Sequence, residues 1–184
     1  QVVLLQLIYQ IQQEVFLGDR NRKQILLIDE AWQLMSSGEV STFIEHAYRK
    51  FRKYGGSVII ATQSINDLYQ NNVGQAIAEN SSSMHLLGQT NETIDAVKKS
   101  GRLSLSEGGY HQLKSVHTVA GVYSEIFVKS NNGIGIGRLI VGPYQQLLYS
   151  TDPVDVHAIQ KYVSAGYEVH DAIKAVMRDR GSEE

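Results

Sequence analysis

A short apolar run that ends in two acids limits the architectures open to this sequence. Residues 24–28 read QILLI, and Asp29 and Glu30 follow them directly. A continuous apolar run of this length is typical of a strand in a parallel sheet that is covered on both faces. Carboxylates that come directly after such a strand lie at the carboxyl edge of the sheet, where α/β proteins bind ligands. The run therefore predicts a buried parallel strand with an acidic pair at its functional end.

The composition is that of one soluble globular domain. Of the 184 residues, 42% are hydrophobic and 20% are charged, which is enough to form a full core. The formal net charge of −2 gives no overall positive field for nucleic acid, so any DNA contact must be local. The absence of cysteine excludes a disulfide framework and a thiolate zinc site.

The two ends of the sequence bear on where the protein acts. No apolar run approaches the roughly 20 residues that span a bilayer, and no signal peptide is recognisable. We therefore expect a cytoplasmic protein. The chain lacks an initiating Met and starts within a helical pattern, so we also expect a piece of a longer protein.

Two segments place apolar residues on one face of a helix. In the first segment, which ends at Gly18, these residues are Leu4, Ile8, Ile11 and Val15. In the second, which ends at YGG, they are Val40, Phe43, Ile44, Ala47 and Phe51. SVIIATQS and SMHLLGQ then predict two further strands, and NETIDAVKKSG predicts a helix with Asn91 as N-cap and Gly101 as stop.

The period of the sequence changes after residue 123. SEIFVKSNNGIGIGRLIVG predicts a β-hairpin, because Asn-Asn-Gly separates two apolar runs. Its glycines enter a strand rather than a helix, which argues against a dinucleotide-binding loop. A helix follows with Thr151 or Asp152 as cap and Pro153 in its first turn, and a last helix packs through Val169, Ile173, Val176 and Met177.

The order of these elements predicts an α/β fold. We expect a single domain over residues 1–184, with a first portion at 1–123, a hairpin portion at 124–150 and C-terminal helices at 151–180.

The polar ends of two predicted strands suggest a nucleotide triphosphatase. Asp29 would hold Mg²⁺ through water, and Glu30 would orient and polarise the attacking water. Gln63, at the end of SVIIATQS, would bond both the γ-phosphate and that water. The alternatives are structural: Asp29 caps a helix that starts at EAWQLM, Glu30 adds charge to its first turn, and Gln63 satisfies a strand end. Trp32 could pack near the nucleotide, but we expect it to be a buried aromatic on that helix.

The segments ILLIDEAWQLM, FIEHAYRKFRKYGGSVIIATQS and GRLIVGPYQQLLYSTDP together resemble the ATPases of conjugative type IV secretion, the TraC kind, within the HerA and FtsK clan. The resemblance extends to about residue 180. It implies a RecA-like P-loop fold that uses ATP with Mg²⁺. It also implies a hexameric motor, cytoplasmic and peripheral at the inner membrane, that works with other secretion components in pilus assembly and export. In that family Asp29 and Glu30 match the Walker B pair, and Gln63 matches the sensor glutamine.

The sequence departs from this family in one respect. Nothing in it matches G-x-x-x-x-G-K-[ST], the loop that cradles the phosphates. We therefore expect a partial core that lacks the P-loop strand and loop, and no ATP hydrolysis by this chain alone.

Three arginines are candidates for a group that reaches a neighbouring subunit's phosphate. Arg49 and Arg52 lie before the second strand, and Arg138 lies in the second strand of the hairpin and resembles the family's late arginine. Arg49 could instead pair with Glu45, and the RKFRK cluster could be a solvated basic face or a contact for DNA or a partner protein.

Two other functions are consistent with the sequence. One is a DNA translocase of the HerA or FtsK kind, against which the lack of a strong basic stripe argues. The other is an assembly or docking module without catalysis.

Overall fold

The structure is a computed structural model that describes residues 2–19, 22–35 and 38–181. These residues form two compact units, which are described separately. Unit 1 contains the described residues up to 117 together with 125–137, and unit 2 contains 118–124 and the described residues from 138 onward. Within the described residues, no helix is both long and apolar enough to cross a bilayer. The division into one domain with three portions stays a prediction.

The first helix and the first strands of unit 1 follow the sequence pattern. Helix α1 (Val2–Gln12) continues into a π-helical turn (Gln13–Leu17) and ends at Gly18. A Cβ at Gly18 would overlap the carbonyl oxygen of Glu14, which explains glycine at this stop. Strands β1 (Gln24–Ile28) and β2 (Gly56–Ile60) pair in parallel, with Leu26 opposite Val58 and Ile28 opposite Ile60. The predicted parallel strand is therefore confirmed.

Helices connect and cover this pair of strands. The short helix α2 spans Trp32–Met35, and α3 spans Gly38–Lys50 and runs into a 3₁₀ turn, Phe51–Tyr54, which Gly55 ends in a left-handed conformation. The predicted apolar face of this helix is confirmed, since its five residues are all buried. Ile8, Ile11 and Val15 also join the core of unit 1, whereas the side chain of Leu4 lies outside the described residues.

The sheet is covered on one face only, which differs from the prediction. Leu26, Ile28, Val58 and Ile60 pack against the core, whereas Ile25 is 72% exposed, Leu27 63% and Ile59 47%. The physical reason is that the described helices of unit 1 lie against a single side of the β1–β2 pair. The prediction of a strand buried on both faces is therefore wrong for this chain.

The rest of unit 1 contains further helices and a second sheet. A 3₁₀ turn (Ile65–Tyr69) and α4 (Asn72–Asn80) follow β2, and α5 (Asn91–Ser100) and α6 (Glu107–Ser115) follow β3 (Ser83–Leu86). Strand β3 does not extend the parallel sheet, because it pairs antiparallel with β5 (Tyr123–Ser130). The predicted hairpin is confirmed, with β6 (Gly133–Leu139) paired to β5.

One predicted cap is wrong by a single residue. The side chain of Thr90, not Asn91, accepts the N–H of Thr93 at the start of α5. Thr90 has the extended backbone of a cap, while Asn91 is already helical. Gly101 ends this helix in a left-handed conformation, as predicted.

Unit 2 is mainly helical. Strand β4 (Thr118–Val119) pairs with β5, and α7 (Pro143–Tyr149), α8 (Pro153–Ser164) and α9 (Val169–Asp179) follow. Asp152 caps α8, as predicted, through the N–H of Val154 at 2.8 Å. Leu147, Ile173, Val176 and Met177 form the core of this unit, whereas Val169 is 52% exposed and does not pack as predicted.

We predict that Phe51 is a costly aromatic residue to remove from unit 1. Its side chain is 1% exposed and makes edge contacts with the rings of Phe16 and Phe43. Phe51→Ala should lower the free energy of unfolding by about 3–5 kcal/mol, through lost burial and the cavity left behind. Urea denaturation measures this. The matched control is Tyr9→Ala on α1, where the ring is 61% exposed and the expected change is about 0.5 kcal/mol or less. Equal losses in the two variants would contradict the prediction.

Candidate functional site

The carboxyl ends of β1 and β2 are tied together beyond the strands themselves. The N–H of Ala61 donates to the carbonyl oxygen of Ile28 at 2.9 Å, and the N–H of Ala31 donates to the carbonyl oxygen of Ala61 at 3.2 Å. These two bonds continue the pairing past the ends of both strands, to Ala31 on one side and Ala61 on the other. Glu30, between Ile28 and Ala31, and Gln63, after Ala61, are thereby brought to the same edge of the sheet.

The carboxylate of Glu30 is held at both of its oxygens. Oε1 accepts the amide N–H of Gln63 at 2.8 Å, and Oε2 accepts the indole N–H of Trp32 at 2.8 Å. Hydrogen bonds to an ionised acceptor are stronger than those between neutral groups. The structure therefore brings two of the predicted site residues, Glu30 and Gln63, into direct contact.

The backbone at Glu30 is unusual for a residue with a side chain. Its φ of 50° lies in the left-handed region, and among the described residues it is the single non-glycine with a positive φ. This conformation costs a residue with a Cβ roughly 1–2 kcal/mol. It turns the chain sharply after β1, so that the side chain of Glu30 meets β2's end rather than following the strand.

Asp29 stabilises this turn instead of capping a helix. Its Oδ1 accepts the N–H of Glu30 at 2.9 Å, and α2 begins only at Trp32. Neither acid lies in the first turn of α2. The alternative in which Asp29 caps this helix and Glu30 adds charge to its first turn therefore does not describe the geometry. Asp29 is exposed, and in the part of the chain that the structure describes its Oδ2 forms no hydrogen bond or ion pair.

The loop that carries Gln63 is fixed on both sides of that residue. The hydroxyl of Thr62 and the N–H of Ser64 both donate to Oδ2 of Asp67, and the Ser64 side chain caps the following 3₁₀ turn. The amide oxygen of Gln89, after β3, accepts the N–H of Ile65 at 3.3 Å. Gln63 itself is exposed, so a rigid loop presents a solvent-accessible amide.

The predicted arginines lie elsewhere. Arg49, in the last turn of α3, pairs with Glu45 at 2.9 Å, which is the structural alternative considered from the sequence. Arg52 is exposed in the 3₁₀ turn before β2. Both therefore precede a strand that is about 16 Å long, at the opposite end from Glu30 and Gln63.

Arg138 belongs to unit 2. It lies on β6, and its guanidinium carbon is 4.3 Å from the centre of the Tyr123 ring, a cation–π contact.

Sequence reasoning missed two residues around the site, Asp67 and Gln89, and preferred the wrong place for a third. Trp32 was expected to be buried on its helix rather than near the site, yet it is 44% exposed and contacts Glu30. Asp67 carries a signal that could have found it, because S-x-x-D is the pattern of a capping box. Gln89 follows a strand, as Gln63 does, but no local pattern indicates which loop it contacts.

The sequence matches a known protein family. Residues 2–180 match the TraG P-loop domain family. The chain belongs to this family. It is 27% identical over 180 residues to Protein TraC of Escherichia coli (strain K12), a match that covers 93% of this chain and 20% of TraC.

A solved structure shows the same fold. The chain is similar to VirB4 of Thermoanaerobacter pseudethanolicus, with a TM-score of 0.59 and 24% sequence identity over 78% of this chain and 36% of that one. The predicted RecA-like P-loop fold and the resemblance to the TraC kind are confirmed. The chain spans well under half the length of both relatives.

We predict that glycine at position 30 gives a more stable fold than alanine at the same position. Glu30→Gly and Glu30→Ala both remove the carboxylate, but only glycine adopts a φ of 50° without steric cost. The glycine variant should therefore be more stable than the alanine variant by about 1 kcal/mol in urea denaturation.

The same pair of substitutions at Glu45 is the control. Glu45 lies within α3, where glycine is about 1 kcal/mol less favourable than alanine, so the order should reverse. The same order at both positions would contradict the strain at Glu30.

Proposed function

We propose that this chain is the C-terminal portion of an ATPase that energises type IV secretion, with Mg²⁺-dependent ATP hydrolysis by the subunit that contains it. The observation that carries the proposal is the 2.8 Å hydrogen bond between Glu30 and Gln63 at the carboxyl ends of two parallel strands. Membership of the P-loop family and similarity to TraC and VirB4 support it.

Each residue at this edge has a proposed role. Glu30 orients the attacking water and accepts its proton, while Gln63 contacts the γ-phosphate and the same water. The oxygen of water bonds to the γ-phosphorus as the bond from that phosphorus to the bridging oxygen breaks, which yields ADP and inorganic phosphate.

Asp29 fits the place of a magnesium ligand. Carboxylates are the hard oxygen donors that Mg²⁺ prefers, and the ion keeps several of its own waters. The exposed carboxylate of Asp29 would therefore hold it through water. When bound, the ion neutralises charge on the phosphates.

The phosphate-binding loop would come from elsewhere in the subunit. The sequence contains no G-x-x-x-x-G-K-[ST] segment, and such a loop supplies the backbone N–H groups and the lysine that bind phosphates. We infer that this chain does not hydrolyse ATP by itself.

The assembly is proposed from the same relatives. Similarity to TraC and VirB4 supports a homo-oligomer, in the proposed form a hexamer, that is cytoplasmic and peripheral at the inner membrane. There it would act with other secretion components in pilus assembly and export. Any DNA contact would be local, because the net charge is −2.

We predict that Glu30→Gln abolishes turnover in the full-length subunit. The amide keeps the size of the side chain but cannot accept the proton, so kcat should fall by about 10²- to 10⁴-fold while ATP still binds. Phosphate release and nucleotide binding are measured side by side. This 184-residue chain is included as a sample that is expected to release no phosphate.

Glu39→Gln is the matched control for that experiment. Glu39 lies at the exposed start of α3, and its replacement by Gln makes the same chemical change as Glu30→Gln. The Glu39→Gln variant should keep wild-type activity. Wild-type turnover by Glu30→Gln would reject the catalytic assignment of Glu30.

A second prediction concerns the arginine that acts across subunits. Removal of such a group lowers kcat by about 10³-fold or more. Arg138→Ala subunits keep Glu30, and Glu30→Gln subunits keep Arg138, so mixed oligomers contain interfaces with both groups intact. The mixture should regain activity that each variant lacks alone. Arg49→Ala and Arg52→Ala are tested in the same way.

The control mixture combines Glu30→Gln with Gln63→Ala. Because these two side chains contact each other within one subunit, their mixture should not regain activity. Wild-type turnover by all three arginine variants would contradict an arginine supplied in trans from this chain.

A further inference from the structure

The indole of Trp32 makes a contact that packing does not explain. Trp32 is the first residue of α2 and is 44% exposed, so burial of part of its ring does not by itself set where the indole N–H points. An indole has one hydrogen-bond donor and no acceptor, and here that donor points at Oε2 of Glu30 at 2.8 Å. The ring of Trp32 thus donates a hydrogen bond to the carboxylate of a residue two positions earlier in the chain.

Glu30 is fixed from its backbone to its tip. Its N–H donates to Asp29, its φ is left-handed, and its two oxygens accept from two different side chains. A glutamate has several freely rotating bonds, and holding such a side chain in one place normally costs entropy. Two charge-assisted hydrogen bonds offset that cost and set the direction of both oxygens.

The two donors cannot both keep this arrangement during turnover. Gln63 is the residue proposed to meet the γ-phosphate, and the attacking water needs an oxygen of Glu30 as its acceptor. Once Gln63 turns to the phosphate, Oε1 becomes available to the water. Of the described side chains that bond to the Glu30 carboxylate, Trp32 is then the one still in place.

We propose that Trp32 is a positioning residue for Glu30. Its indole N–H holds Oε2 throughout the cycle, while Oε1 exchanges the amide of Gln63 for the attacking water. This role rests on the proposed function, because it assigns Trp32 to the step that Glu30 performs.

The contact itself can be tested without catalysis. Trp32 is the one tryptophan of the sequence, so the 184-residue chain gives a single indole N–H signal in a ¹H–¹⁵N spectrum. Glu30→Ala should move that signal upfield as the charged acceptor is lost, whereas Glu45→Ala, a carboxylate removed elsewhere in unit 1, should leave it in place. An indole N–H signal whose chemical shift is the same in Glu30→Ala as in the wild type would overturn the proposal.

The effect on catalysis is tested in the full-length subunit. Trp32→Phe removes the donor and keeps an aromatic ring, so kcat should fall by about 10- to 100-fold, with the KM for ATP unchanged. Trp32→His restores a ring N–H and should recover part of the loss. A purely structural role would instead lower stability, so urea denaturation of the same variants is measured alongside.

The outcomes separate this proposal from the one it rests on. Loss of kcat in both Glu30→Gln and Trp32→Phe, with partial recovery in Trp32→His, supports the positioning role. Wild-type kcat in Trp32→Phe beside an inactive Glu30→Gln overturns the role of Trp32 alone. Wild-type kcat in Glu30→Gln overturns the function of the site and the role of Trp32 together, whatever the indole signal shows.

Discussion

The site depends on the parallel pairing of β1 and β2 and on its continuation past the ends of both strands. The bonds between Ile28, Ala31 and Ala61 force two loops that are 33 positions apart in sequence to leave the sheet side by side. Ala31 is fully buried, so this junction belongs to the core as much as to the site. The apolar face of α3 packs in the same core as the inward side chains of both strands. The geometry of the candidate site and the packing of the core thus rest on one set of contacts.

The turn at Glu30 shows how stability and chemistry oppose each other at a single residue. A left-handed backbone is accommodated best by glycine, yet a carboxylate is what the proposed reaction needs there. The surrounding bonds to Asp29, Trp32 and Gln63 maintain the strained conformation. Strain kept in place by neighbouring contacts is typical of functional sites, and here it directs the carboxylate toward β2.

Local sequence patterns were sufficient to predict the strands and the helix that carry the site. A run of apolar residues ending in Asp29 and Glu30, a second run ending before Gln63, and the helical face through Phe43 and Phe51 each predicted what the structure contains. The rest depends on tertiary contacts. Nothing local indicated that β3 joins β5 rather than the parallel sheet, that Trp32 reaches Glu30, or that one face of β1 is exposed. The roles of the acids and arginines in catalysis stay predictions.

The bare face of the β1–β2 sheet has a consequence for how the chain behaves in solution. Ile25, Leu27 and Ile59 lie on this face as an apolar strip that water covers in the folded state. Environment-sensitive dyes such as ANS bind surfaces of this kind and are commonly used to diagnose a molten globule. Dye fluorescence from this chain would therefore accompany a fully packed core, and near-ultraviolet circular dichroism is the better measure of whether its tertiary structure is intact.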